Sequence, residues 1–174
     1  ITGRVRKHGI EPSVGIDVET NIGTNMLQAA RFALQVQRGV DNIAVNDAGD
    51  EVRSTSIPAR HALGWATIEG AKALGLDSKI GSLRPGKQAD IILIKQDSLG
   101  VFPCHNPAQT VLFQADTGNI QTVIVAGKIK KRAGELVFNT LVEKKRLLAQ
   151  SGQHILRKAG IDFNLSNSEE LENV

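Results

Sequence analysis

The sequence predicts an α/β plus β protein, the carboxyl-terminal end of a parallel α/β barrel joined to strands of a small β domain. Three observations carry this. A short apolar run at residues 12–17 ends on a carboxylate and is followed by a long helical pattern. After Gly75 the hydrophobic spacing changes from the helical period to strand-like runs. The order helix, strand, helix, helix, several strands, helix does not close as one familiar small fold, so it reads as the closing pieces of two domains.

Residues 1–7 read as the tail of a helix, with Arg4, Arg6 and Lys7 near its end and His8-Gly9 stopping it. Pro12-Ser13-Val14-Gly15-Ile16-Asp17 is the short strand. After a polar loop with Gly23, a helix is expected over residues 25–38, capped by Thr24 and ended by Gly39, with 40–55 as loop. Met26, Ala29, Ala30, Ala33, Leu34 and Gln37 trace its inner face, and Phe32 and Val36 are expected to widen it so that the helix is largely buried. Ser56-Ile57-Pro58 starts a second helix, because serine can cap and proline has no N–H to leave unpaired in the first turn. That helix is expected to run without interruption to Leu74, where Gly75 closes it. Pro85-Gly86 is a turn, Ile91-Ile92-Leu93-Ile94 a buried strand, and residues 110–113 a further strand. Residues 120–125, the turn Ala126-Gly127 and residues 129–131 make a hairpin. A last helix spans residues 139–159, followed from Asn164 by a polar, acidic tail.

Composition excludes several function classes. The charge of +3 comes from basic residues spread along the chain, apart from Lys130-Lys131-Arg132 and Lys144-Lys145-Arg146. With five Phe, one Trp and no Tyr, these runs have no aromatic residues to stack bases, so no nucleic-acid partner is expected. One cysteine, Cys104, excludes an internal disulfide and suits a reducing, cytoplasmic setting. No apolar run reaches the roughly 18 residues of a membrane span.

Two stretches carry a family resemblance. One is Ala66-Thr67-Ile68-Glu69-Gly70-Ala71-Lys72-Ala73-Leu74-Gly75, continuing through Ile80-Gly81-Ser82-Leu83-Arg84-Pro85-Gly86-Lys87-Gln88-Ala89-Asp90-Ile91-Ile92-Leu93-Ile94. The other is Ser13-Val14-Gly15-Ile16-Asp17-Val18 with Asn25-Met26 and the helix behind it; Val123-Ile124-Val125-Ala126-Gly127-Lys128 resembles a final hairpin. Together they resemble the metal-dependent amidohydrolases of the cytosine-deaminase and chlorohydrolase branch. The resemblance implies the end of a (β/α)8 TIM-type barrel at residues 1–79 and the carboxyl-terminal strands of a small composite β-sandwich at 80–138; the remaining residues, 139–174, read as a carboxyl-terminal helix with a frayed tail. It implies hydrolysis of C–N or C–Cl bonds in a small heterocyclic substrate, zinc or iron in the complete enzyme, and a homo-oligomer.

Barrel enzymes place their chemistry at the carboxyl ends of the strands, and Asp17 ends the first apolar run. Read alone, an aspartate there caps a turn. The resemblance makes Asp17 the metal-binding and proton-shuttling carboxylate, beside a metal that brings the pKa of bound water towards neutrality. Val18 departs from the glycine common at that position in the family. The family's other ligands are absent: His8, His61, His105 and His154 include no His-x-His pair. One carboxylate is too few for a catalytic zinc, so the chain alone is expected to hold no metal and turn over nothing. The abrupt start without methionine reads as a fragment or a truncated product, the latter a module that associates with itself or another chain. Glu11 and Glu19 read as solvated loop acids. Ser13 and Ser82 lack a base, and the Gly81 to Lys87 stretch lacks phosphate-loop spacing. Cys104 reads as a quiet thiol.

Overall fold

The computed structural model describes residues 2–18, 23 and 25–161, in two compact units that part between Val137 and Phe138. In the first unit, α1 (Thr2–Lys7) ends at the left-handed Gly9 (φ 72°). Residues 11–18 follow without regular secondary structure, outside any ladder. Their strand pattern is present, but the described residues offer no parallel neighbour, and a parallel strand exists only through its partners.

Helix α2 (Met26–Asp47) is longer than its sequence pattern suggests. Gly39 lies inside it, because one interior glycine costs only about 1 kcal/mol and Val40, Ile43 and Ala44 continue the helix. The stop comes at Gly49 (φ 80°), where Gly49 N–H donates to Asn46 O and Asp50 N–H to Val45 O, the two bonds of a Schellman end. Its cap is Asn25, whose side chain accepts from the N–H groups of Leu27 and Gln28; Thr24 lies outside the described residues.

The second predicted helix is two. α3 (Ala59–Trp65) and α4 (Ile68–Ala73) are separated by Thr67 (φ −135°, ψ −96°), and neither Ser56 nor Pro58 donates a side-chain cap. Ser56 instead bonds Asp41 across the loop at 2.5 Å. The break lets Gly81 (φ 84°) nest against α4: a Cβ there would lie 2.6 Å from Ala71 Cβ and 3.0 Å from Ile68 Cα.

The predicted strand at 110–113 is helical. Asn106 caps α5 (Pro107–Gln109), which runs into a π-helical turn at Thr110–Gln114. β-branched Thr110 and Val111 mislead there because the fold, not local propensity, fixes the segment. Arg31 on α2 donates from Nε to Leu112 O at 2.7 Å and from a terminal nitrogen to Ala115 O at 2.8 Å. Arg31→Met is expected to leave these carbonyls, on two fully buried residues, without partners, lowering stability by about 3 kcal/mol. A urea midpoint that falls at constant m-value would measure it.

Two clusters form the core. Ala30 and Leu34 of α2 meet Ile57, Ala59, Ala62, Trp65 and Leu112, while Leu27, Val101 and Ala115 gather nearer the sheet. The sheet is an antiparallel meander in the order β1 (Ile91–Ile94), β2 (Ile120–Val125), β3 (Lys128–Arg132), β4 (Glu135–Leu136). Ala126 (φ 48°) and Gly127 (φ 76°) make the tight hairpin turn that the strand twist favours. Asp90 Oδ1 accepts from Ala126 N–H at 2.6 Å, tying the start of β1 to that turn. In the second unit, α6 (Leu141–Lys158) carries Val142, Leu148 and Ile155 exposed.

Candidate functional site

Asp17 sits near the end of the irregular segment at residues 11–18, exposed, with a left-handed backbone (φ 64°). Aspartate tolerates that conformation better than most residues, because its short polar side chain can bond locally. Upstream, the segment is pinned to the helical body. Val14 N–H donates to Trp65 O at 3.3 Å, and the Val14 side chain packs on the first core cluster. Val18 is exposed, and Glu19 with most of the loop beyond it lies outside the described residues.

Glu11 corrects its reading as a solvated loop acid. Its Oε2 accepts from the indole Nε1–H of the fully buried Trp65 at 2.7 Å. Its Oε1 lies 3.4 Å from Arg6 Nε and 3.6 Å from His61 Nδ1. The Trp65 hydrogen bond, with smaller help from Arg6 and His61, lowers the Glu11 pKa below the ordinary 4.5 against the opposing effect of partial burial. A carboxyl lowered on folding stabilises the folded chain above its unfolded pKa and loses that contribution as pH falls through the lowered value. Thermal melts are therefore expected to show acid destabilisation developing below about pH 4.5. Part of that slope should disappear in Glu11→Gln, and an unchanged slope would exclude Glu11 as its source. The signal in the sequence was the lone tryptophan, whose N–H needs a partner once buried.

The four histidines, His8, His61, His105 and His154, are all exposed. Only His61 approaches a described carboxylate within salt-bridge distance. No three His, Cys, Asp or Glu residues come together among the described residues. The donors present therefore do not fit a resident metal by themselves, since a catalytic zinc takes about three protein ligands. The cleft beside Glu11, about 310 Å³, is lined by Arg60, His61, Gly64, Ile68 and Glu69. Ser82 Oγ accepts from Lys87 Nζ at 2.7 Å, and the same ammonium also donates to the carbonyls of Ile80 (3.1 Å) and Asp77. The loop from Gly81 to Lys87 is thus closed on its own lysine rather than open to a phosphate. Cys104 is a free, half-buried thiol. Among the described residues no helix is long and apolar enough to cross a membrane.

Comparison with known proteins gives this arrangement a lineage. The 5-methylthioadenosine/S-adenosylhomocysteine deaminase of Thermoanaerobacter pseudethanolicus is 36% identical over 124 residues, covering 71% of this chain and 26% of that protein. The 5'-deoxyadenosine deaminase of Methanothermobacter thermautotrophicus is 31% identical over 134 residues, covering 76% and 29%. An adenosine deaminase from Xanthomonas campestris, crystallised with bound zinc, superposes with a TM-score of 0.63 at 28% identity, over 76% of this chain and 28% of that one. The chain thus spans a little over a quarter of the length of these proteins. The profile of the amidohydrolase family matches residues 3–130, which include the Asp17 segment, the broken helix, the first two strands of the sheet and the start of the third. With most of its length inside that match, the chain belongs to the amidohydrolase family.

Proposed function

We propose that these residues act as the carboxyl-terminal section of a metal-dependent amidohydrolase that removes an amino group from a nucleobase-like ring. Asp17 is the carboxylate they contribute, and histidines outside these residues supply the rest of the metal site. The observation that carries the reading is the placement of Asp17, exposed near the end of an irregular segment pinned at Val14, within a stretch matching the family. In the assembled hydrolase, residues 12–17 would be the last barrel strand and the meander part of a β-sandwich. A carboxylate at that strand end can take a proton from the attacking water and pass it to the departing amine.

The outer face of α2 supports a larger assembly. Phe32, Val36, Val40 and Ile43 recur at helical spacing and are all exposed, with Phe32 at 62%. A stripe of that kind usually marks a contact surface. The similar adenosine-type deaminases suggest an adenine nucleoside such as 5'-methylthioadenosine, with zinc as the metal, and the single cysteine suits the cytoplasm. Co-expression with an amino-terminal barrel section should give metal-dependent ammonia release that chelation abolishes. Association without ammonia from any such substrate would count against the reading. A chain that only self-associates, seen by light scattering, would favour a non-catalytic module.

A further inference from the structure

We infer that Trp65 is a positioning residue for Asp17, an inference that rests on the proposed role of that carboxylate. Trp65 ends α3 and is completely buried, so its place is set by the core. It grips the Asp17 segment at two points. The indole Nε1–H donates to Glu11 Oε2 at 2.7 Å, and the main-chain carbonyl accepts from Val14 N–H at 3.3 Å. One residue thereby fixes both ends of the stretch from Glu11 to Val14.

The break between α3 and α4 makes the second bond available. In a continuous helix the Trp65 carbonyl would accept from the N–H four residues on. With Thr67 turned out of helical geometry, it accepts from Val14 instead. The first bond is braced by Arg6 on α1 and His61 on α3, which flank the other oxygen of Glu11 at 3.4 and 3.6 Å. Asp17 follows Val14 by only three residues, at most about 10 Å of chain. A shift at Val14 therefore reaches the carboxylate with little slack to absorb it.

Trp65→Phe keeps most of the buried bulk and removes the indole donor. It would be made in the proposed metal-loaded hydrolase, with Asp17→Asn as reference. Asp90→Ala serves as control, because it loosens the β1–hairpin tie instead of the Asp17 segment. Ammonia-release kcat is expected to fall about tenfold in Trp65→Phe with KM within about twofold, the pattern of a misplaced reacting group. In the metal-free protein, amide exchange of residues 10–18 should quicken about tenfold, as expected of a local opening made easier. Glu11→Ala should reproduce both effects and Glu11→Gln, which keeps an acceptor, should reverse them. Glu11→Ala carries the test if Trp65→Phe does not fold. Unchanged kcat in Trp65→Phe beside an inactive Asp17→Asn would overturn the positioning role and leave the proposed function standing. Equal loss in Asp90→Ala would also overturn it, as general destabilisation. An active Asp17→Asn would overturn both.

Discussion

In the proposed hydrolase, Asp17→Asn is expected to cut ammonia release about a thousandfold, within the span of a lost general acid–base group. The substitution isolates the carboxylate for a structural reason. Asp17 holds a left-handed backbone (φ 64°), and asparagine adopts that region as readily as aspartate. The side chain is exposed, so the amide loses no buried partner among the described residues. Stability should therefore stay within about 0.5 kcal/mol of the parent, as for most surface changes. Asp17→Ala would be a poorer probe, since a Cβ without a polar group is disfavoured at that φ. Rate constants and a thermal melt, measured side by side, check both halves. Full activity in the asparagine variant would remove Asp17 from the chemistry.

Gly81→Ala is expected to destabilise the first unit by about 3 kcal/mol, combining a left-handed alanine with an overpacked contact. The two causes can be separated. The new Cβ would meet Ala71 Cβ at 2.6 Å, a side-chain contact that Ala71→Gly removes. It would also meet Ile68 Cα at 3.0 Å, which is backbone and cannot be trimmed, and φ 84° remains in either background. A double-mutant cycle by urea denaturation should thus show a favourable coupling of about 1 kcal/mol, with the remaining loss intact. No coupling would mean that the Ile68 contact and the backbone strain account for the cost without Ala71.

The hairpin, the turn at Pro85-Gly86 and the last helix were readable in the sequence because each depends on neighbours close along the chain. Ala126-Gly127 allows the two positive φ values a tight hairpin needs, and Gly86 (φ 88°) follows Pro85 in a turn closed by Lys87 N–H on Arg84 O at 3.1 Å. Where long-range contacts compete with local preference, the pattern misled. Thr110 and Val111 favour strand by propensity, yet Asn106, Pro107 and the Arg31 guanidinium hold them helical. Gly39 looked like a stop, yet the apolar residues beyond it carried the helix to a better one at Gly49.

The candidate site divides in the same way. Sequence by itself determined the family, because that resides in residue types and their spacing. Tertiary structure decided how Asp17 is held, since the partners of its segment lie far away in sequence. Glu11 and Trp65 are separated by 54 positions, and their bond exists only once α3 has buried the indole. A buried N–H must find an acceptor, and the fold alone determines that this acceptor is the carboxylate at the start of the Asp17 segment.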